Sequence, residues 1–173
     1  MFDPTAFENM KVVMEGALYD RDIGGEIAIT DRNDLMNLAK LSRVYEVTFT
    51  ESANSAVQCT LILQANLENL AAELLPSNQE GQSAGAHLTI LFKMRHENRQ
   101  ELHEEIEEEL TRIWGSDRSI KQKVSFNPME KSNEIMKEIT IEFNRLILED
   151  QIDDLFMMVD YILDSVKKLK QFN

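Results

Sequence analysis

The fold of this 173-residue chain depends on one stretch, AHLTILFKM, which spans residues 86–94. Its even-numbered positions from Leu88 to Met94 are all apolar, and its odd-numbered positions are polar except for Leu91. Side chains alternate between the two faces of a β-strand. The pattern therefore predicts a strand with one face in a core and the other face toward water or a ligand.

A helix is predicted directly after that strand. Between Glu97 and Trp114 the apolar residues recur at helical spacing and form one stripe: Leu102, Ile106, Leu110, Ile113 and Trp114. Gly115 ends the helix, because glycine readily adopts the left-handed conformation found just past a helix end. The stripe and the apolar face of the strand can bury each other, so we expect the helix to pack on a sheet.

Composition and charge limit the classes of protein that the chain can belong to. Hydrophobic residues make up 43% and charged residues 28%, a balance typical of globular proteins, and the length predicts one domain over residues 1–173. The net charge of −13 argues against general nucleic-acid binding, which depends on Lys and Arg neutralising phosphates. Arg118, Lys121 and Lys123 are the best candidates for a local basic patch, and a solvated strand face is the simpler interpretation.

The single cysteine, Cys59, excludes an intramolecular disulfide and a cysteine-based metal cluster. It lies in the apolar register of a predicted strand, so we expect an inert thiol in the core. The chain begins without a basic-then-apolar leader, and no apolar run approaches the ~18 residues needed to span a membrane. These features predict a cytoplasmic protein that makes no membrane contact.

The other segments predict alternating helices and strands, in the order α-β-α-β-β-α-β-α-β-β-α. The first helix is predicted over residues 4–18, because Pro4 suits the first helical position. A short strand over residues 26–30 follows. Asp31 or Asn33 then caps a second helix, whose apolar residues are Leu35, Leu38, Ala39 and Leu41.

A β-hairpin is predicted over residues 44–50 and 56–64, because apolar and polar residues alternate in both segments. A short helix over residues 67–75 follows and ends at Pro76, since proline cannot continue a helix. Residues 77–85 contain glycines and almost no apolar side chain, which is typical of a mobile loop.

Three segments follow the central helix and complete the predicted fold. Residues 119–126 alternate as a strand does, and residues 150–171 form a helix with one broad apolar stripe. Residues 137–148 fit either a strand or a helix, and the β-branched run over residues 139–141 favours a strand. The predicted fold class is α+β, a mainly antiparallel twisted sheet of five to six strands with helices packed on one face.

One set of residues is a candidate metal site. His96, His103 and Glu107 are spaced seven and four residues apart, so on a helix they would share a strip about 40° wide. Two imidazoles and a carboxylate can bind zinc or a similar ion and leave one coordination position open. The alternative is a solvated helix face on which a glutamate lies near a histidine by chance, and we expect no cofactor.

The polar face of the predicted sheet is a second candidate site. Its residues are Thr48, Gln58, Thr60, His87, Thr89, Lys93 and Glu142. Neutral side chains such as Gln58, Thr60, His87 and Thr89 can hold a small polar ligand on a concave sheet. The same face can instead be solvated, or it can contact a second subunit.

Met157 and Tyr161 form a candidate interface on the final helix. They lie four residues apart, opposite the apolar stripe and among acidic side chains, which suggests a surface for a protein partner. We expect self-association as a two-fold homodimer. Acidic helices facing each other would repel, so an antiparallel pairing with Asp153 near Lys168, or a contact through the polar sheet face, are alternatives.

Known catalytic motifs are missing from the sequence. It contains no glycine-rich phosphate loop, no nucleophile elbow and no His-Glu-x-x-His motif. This favours a cytosolic protein that acts through protein contacts, as a homodimer with an unidentified partner and without catalysis. The alternative is a small-molecule- or metal-binding enzyme that uses the polar sheet face or the set His96, His103 and Glu107.

Overall fold

The computed structural model describes residues 6–53, 55–74 and 84–173. The helices in these residues are α1 (Ala6–Ile23), α2 (Leu67–Leu74), α3 (Gln100–Trp114) and α4 (Ile152–Leu169). The strands are β1 (Ala28–Asn37), β2 (Ser42–Thr50), β3 (Val57–Ala65), β4 (Gly85–Glu97), β5 (Ser119–Ser125), β6 (Glu134–Glu142) and β7 (Ile147–Leu148). One turn of 3₁₀ helix lies on each side of α4. The α+β class predicted from the sequence is confirmed.

All strand pairs are antiparallel, and the strands form one open sheet in the order β1-β2-β3-β4-β6-β5. The central strand is β4, the strand predicted first, and it is 13 residues long. The two-residue strand β7 pairs with the beginning of β4, opposite Gly85 and Ala86. A Cβ atom at position 85 would clash with the carbonyl oxygen of Ile147, so glycine permits this close pairing. The sheet therefore has one strand more than the predicted maximum.

The core lies between one face of the sheet and helices α1, α3 and α4. Leu88, Ile90 and Phe92 of β4 are buried, as predicted, and they share this core with Ile106 and Leu110 of α3. Cys59 is also fully buried, and burial raises the pKa of its thiol well above the ordinary value. A thiol of this kind stays protonated and unreactive at neutral pH.

The predicted second helix is wrong. Its residues belong to β1 and to the turn that leads into β2, and Leu35 and Met36 pair with Val44 and Arg43 in the ladder. The side-chain oxygen of Asn37 accepts hydrogen bonds from the backbone N–H groups of residues 39 and 40, at 3.1 Å each. This side chain therefore stabilises a turn at the point where the sequence pattern predicted the middle of a helix.

The other boundaries agree with the sequence or differ by a few residues. Residues 137–148 contain the end of β6 and all of β7, so the favoured strand interpretation is confirmed. The helix α1 continues to Ile23 instead of ending at residue 18. The first residues of the predicted helix 4–18, and most of the predicted loop 77–85, lie outside the described residues.

Candidate functional site

Polar side chains from three neighbouring strands point into the core beneath α3. His96 of β4, Lys137 of β6 and Gln122 of β5 each occupy the register that apolar residues fill elsewhere on the same strand. In the ladder, Lys137 pairs with Met94 on one side and with Val124 on the other. Lys137 is 0% exposed and His96 is 4% exposed. Together with His103 and Glu107 of α3, we call these residues the polar layer.

Gln122 connects the buried lysine to helix α3. The Nζ of Lys137 donates a hydrogen bond to Oε1 of Gln122 at 2.5 Å. The Nε2 of Gln122 donates in turn to Oε2 of Glu107 at 2.6 Å and to the backbone carbonyl of His103 at 3.0 Å. These contacts tie three elements together through one amide side chain, because an amide both donates and accepts.

Burial makes the lysine easier to deprotonate. It lowers the pKa of Lys137 to about 8, because the ammonium loses contact with water, and the nearby carboxylate of Glu107 offsets part of this effect. A neutral lysine amine is a competent base or nucleophile. The side chain has no exposed surface, however, so in this conformation its amine does not reach solvent.

The two histidines of the polar layer lie against each other. Their ring centroids are 5.4 Å apart and the rings meet edge to face, at 65°. The Nδ1 of His96 lies 2.7 Å from the backbone carbonyl of Glu97, and a carbonyl only accepts, so Nδ1 carries the hydrogen. The Nε2 of His96 is buried without a hydrogen-bond partner. Burial, and then the charge of Lys137, lower the pKa of His103, so its ring is neutral at pH 7.

The structure changes the geometry of the candidate metal site. His96 lies on β4 and not on α3, so the predicted single-helix strip of His96, His103 and Glu107 is wrong. The strand and the helix bring the two histidines together, while the carboxylate of Glu107 accepts a hydrogen bond from Gln122. Across residues 6–53, 55–74 and 84–173, no group of three or more His, Cys, Asp or Glu side chains is arranged to hold a metal ion.

A shallow pocket of about 460 Å³ lies on the surface outside the polar layer. Its lining includes His103, Glu107 and Gln122. Gln122 therefore stands between this pocket and the amine of Lys137. The polar layer holds α3 against the sheet, and in this conformation it separates the lysine from any molecule in the pocket.

Gln58, Thr60, His87 and Thr89 lie on the sheet face away from the core, as their register predicts. Across the strands of this face, the side-chain oxygens of Thr48 and Thr60 are hydrogen-bonded at 2.8 Å. His87 is exposed and lies beyond the ladder to β6. These residues therefore share one face without converging on a single point.

The lysines of the suggested basic patch belong to this face as well. Lys121 pairs with Glu142 at 2.6 Å, and Lys123 lies 3.9 Å from Glu138. Arg118 lies elsewhere, over the ring of Phe143. Both lysines are exposed and lie beside carboxylates of the neighbouring strand, which agrees with the simpler interpretation of a solvated strand face.

Met157 and Tyr161 contribute to a groove on the surface of α4. Their exposed fractions are 56% and 52%. The Tyr161 ring lies 6.0 Å from the ring of Trp114, which lies 5.8 Å from the ring of Phe143 in an edge-to-face contact. The indole N–H of Trp114 donates to the hydroxyl of the buried Ser165 at 2.9 Å. This hydrogen bond holds the Trp114 side chain in place in the wall of the groove.

Two arginines border this groove, whose volume is about 390 Å³. The guanidinium of Arg118 stacks on the Phe143 ring at 4.9 Å, and Arg145 donates to the side-chain oxygen of Gln151 at 2.8 Å. No carboxylate of the described residues lies within 4.0 Å of either arginine. We call the surface formed by Trp114, Arg118, Phe143, Arg145, Met157 and Tyr161 the α4 groove.

Sequence reasoning found Met157 and Tyr161 but missed Lys137, Gln122 and Arg145, and it placed Arg118 in a basic patch with Lys121 and Lys123 instead of in the groove. The signal for Lys137 was present, since it stands between Ile135 and Ile139 in the apolar register of a strand. The arginines carried no such signal, because both lie in connecting segments between elements.

In the part of the chain that the structure describes, no helix is long and apolar enough to cross a membrane. Comparison of the chain with models of protein families, with curated proteins and with solved structures finds no match. The site geometry is therefore the basis for a proposal about function.

Proposed function

We propose that the chain acts through protein–protein contacts, as a cytoplasmic homodimer and without catalysis of its own. Its contact surface is the α4 groove. One observation carries the proposal: Met157 and Tyr161 are about half exposed, and they are continuous with the aromatic wall formed by Trp114 and Phe143.

The composition of the groove supports this proposal. Aromatic residues, Met and Arg are enriched at the centres of protein interfaces, and Trp, Tyr and Arg dominate their binding energy. The groove contains each of these types. Trp114 is held by its hydrogen bond to Ser165, so little side-chain freedom remains to be lost when a partner binds. A protein partner therefore meets a surface that is already ordered.

The proposal is tested by the mass of the particle in solution. At tens of micromolar, light scattering should give about 40 kDa, twice the 20.0 kDa of one chain. The double substitution Met157→Asp and Tyr161→Asp places charge at the centre of the groove and should shift the particle toward 20.0 kDa.

A matched control is available on other exposed apolar residues. Ile23 and Met129 are almost fully exposed and lie outside the groove, so Ile23→Asp with Met129→Asp should leave the dimer intact. A monomeric unmodified protein would refute the proposal. A dimer that survives the Met157 and Tyr161 substitutions would place its interface elsewhere.

A second candidate function, a small-molecule- or metal-binding enzyme, is favoured by two features of the polar layer. The pKa of Lys137 is lowered to about 8, and Nε2 of His96 is buried without a partner. Such groups are frequent in active sites. A ligand that binds the folded protein raises its melting temperature, whereas a protein-contact surface should not respond to metals or metabolites. A specific, saturable increase that Lys137→Met removes would favour the enzyme.

A further inference from the structure

We propose that a second copy of the chain occupies the α4 groove and that its aspartates bind the arginines of the first. Arg145 of each copy pairs with Asp153 of the other, and Arg118 pairs with Asp164. This inference rests on the proposed function, since it requires self-association through the groove. It adds the partner, the charge pairs and the relative direction of the two α4 helices.

The first argument is that charges of both signs stand unpaired around the groove. Arg118 and Arg145 have no carboxylate within 4.0 Å in the described parts of the chain. Asp153 and Asp164 are exposed and likewise form no ion pair with any described residue.

The second argument is that the two signs lie on opposite sides of the apolar centre. Around the α4 axis, Asp153 and Asp164 lie within about 40° of Met157 on one side. Tyr161 lies about 40° to the other side, toward Trp114 and the groove. The arginines line the groove itself. The groove side therefore carries the two arginines together with one aspartate, Asp154, and its net charge is positive. The centre is apolar, and the other side carries Asp153 and Asp164.

The third argument is symmetry. In a two-fold contact each patch meets its own copy, so a surface with one basic side and one acidic side can neutralise itself. A two-fold axis parallel to α4 places the groove side of each copy against the aspartate side of the other. The same axis keeps each residue of one α4 at the same height along the helix as its equivalent in the other α4. Arg145, which contacts Gln151 just before α4, then lies near the partner's Asp153 at the beginning of that helix.

This arrangement removes the repulsion expected between two acidic helices. In an antiparallel arrangement the aspartate sides face each other, and the nearest compensating charge is Lys168 near the end of α4. The two arrangements therefore depend on different basic residues. An acidic peptide from another protein is the other chemistry that the arginines could bind, and it would not require Asp153 or Asp164.

Charge reversal with complementation tests the proposal. One variant carries Arg118→Glu and Arg145→Glu, and a second variant carries Asp153→Lys and Asp164→Lys. At about 50 mM salt, where surface charges are weakly screened, each variant alone should self-associate at least ~10-fold more weakly than the unmodified protein. An equimolar mixture should form a heterodimer of about 40 kDa, twice the chain mass, because every reversed pair again has opposite signs.

Two further variants keep the outcome interpretable. Arg95→Glu with Lys131→Glu changes the net charge by the same amount as Arg118→Glu with Arg145→Glu. These exposed residues lie away from α4, so this variant should leave the dimer unchanged. Circular dichroism checks that each variant folds. If Arg118→Glu disrupts the stacking on Phe143, then Arg118→Gln with Arg145→Gln should still weaken the dimer.

Failure of the inference differs from failure of the proposed function. A monomeric unmodified protein would overturn both. A dimer lost in the Met157 and Tyr161 double variant but retained in both charge variants would overturn only the pairing. If Lys168→Glu is monomeric while the Arg118/Arg145 and Asp153/Asp164 variants remain dimeric, the antiparallel arrangement is assigned instead. Two charge variants that are each monomeric, with a mixture that stays monomeric, would also overturn the pairing.

Discussion

The polar layer and the α4 groove depart in opposite ways from the usual distribution of apolar residues inside a protein and polar residues on its surface. Beneath α3, polar side chains lie inside the protein, and Lys137 has no exposed surface at all. On α4, apolar side chains lie outside, and Met157 and Tyr161 are half exposed. Both arrangements cost free energy, because a buried charge loses its hydration and an exposed apolar side chain remains in water.

The two regions differ in how this cost is offset. In the polar layer, Lys137, Gln122 and Glu107 form a chain of hydrogen bonds within one molecule. In the α4 groove, apolar side chains remain exposed, and the two bordering arginines contact Gln151 and Phe143 but form no ion pair with the described residues. A polar group that is hydrogen-bonded within the chain contributes to the stability of the fold. An exposed apolar side chain or a charge without an ion pair is instead available to a partner. Most of the polar layer is thus satisfied within the chain, with Nε2 of His96 as the exception. The exposed apolar surface of the groove supports the contact role proposed for it.

The largest expected effect comes from an apolar side chain of α3 that lies in the core. Ile106 is fully buried on α3, one position before Glu107. Replacement by alanine should lower the free energy of unfolding by ~2–5 kcal/mol, because it leaves a cavity in a packed core. Urea unfolding at pH 7 measures this change. A loss under about 0.5 kcal/mol, the range of ordinary surface substitutions, would show that α3 is not packed as described.

The next effect is the dependence of stability on pH. The pKa of Lys137 is about 8 in the folded protein and 10.5 when unperturbed. The unfolded chain therefore binds more protons between these values, and stability should rise as the pH increases from 8 to about 10. The expected rise from this lysine is ~2 kcal/mol. Urea unfolding at several pH values measures it, with Lys137→Met as the reference that should lack this contribution. Parallel curves for the two proteins would contradict the burial of a charged lysine.

A smaller effect is expected from Lys137→Met at a single pH. The change removes a buried ammonium but leaves the Oε1 of Gln122 without its donor. Removing the buried charge should stabilise the fold by more than the lost hydrogen bond destabilises it. Stability at pH 7 should therefore increase by ~1–2 kcal/mol. Thermal unfolding measures this, and Lys93→Met, at an exposed ion pair, is a matched control that should change little. A destabilised Lys137→Met protein would give the lysine a larger structural role than the comparison assigns.

The smallest expected effect is that of zinc. The free Nε2 of His96 is buried beside the charge of Lys137, which disfavours a second cation. Equilibrium dialysis at neutral pH should therefore show no near-stoichiometric binding. Tight binding that is lost in His103→Ala, and retained when the exposed His87 is replaced by alanine, would make the polar layer a metal site.

The sequence predicted those elements whose pattern depends on one segment alone. Strict alternation was enough for β2, β3, β4 and β5, and a continuous stripe was enough for α3 and α4. It was not enough for β1, because Leu35 and Leu38 also fit a helix, and the turn depends on a hydrogen bond from the side chain of Asn37. The two residues of β7 are too few to show any period.

The candidate site divides in the same way. Met157 and Tyr161 lie on one helix, so their shared surface follows from helical geometry. The polar layer requires the register of β4, β5 and β6, which are separated in sequence by α3 and by a long connection. The positions of Arg118 and Arg145 depend on how connecting segments fold over Phe143 and Gln151. No single-segment pattern contains that information.

The fluorescence of Trp114 tests the contact role of the α4 groove most directly, because it is the only tryptophan in the chain and it lies in the groove wall. On dilution from tens of micromolar toward nanomolar, its emission should shift to longer wavelength and its anisotropy should fall, as the second copy leaves the groove. The Met157→Asp, Tyr161→Asp variant should show the diluted spectrum at every concentration. An unmodified protein with constant emission, and with the anisotropy of a 20.0 kDa particle throughout, would contradict the account.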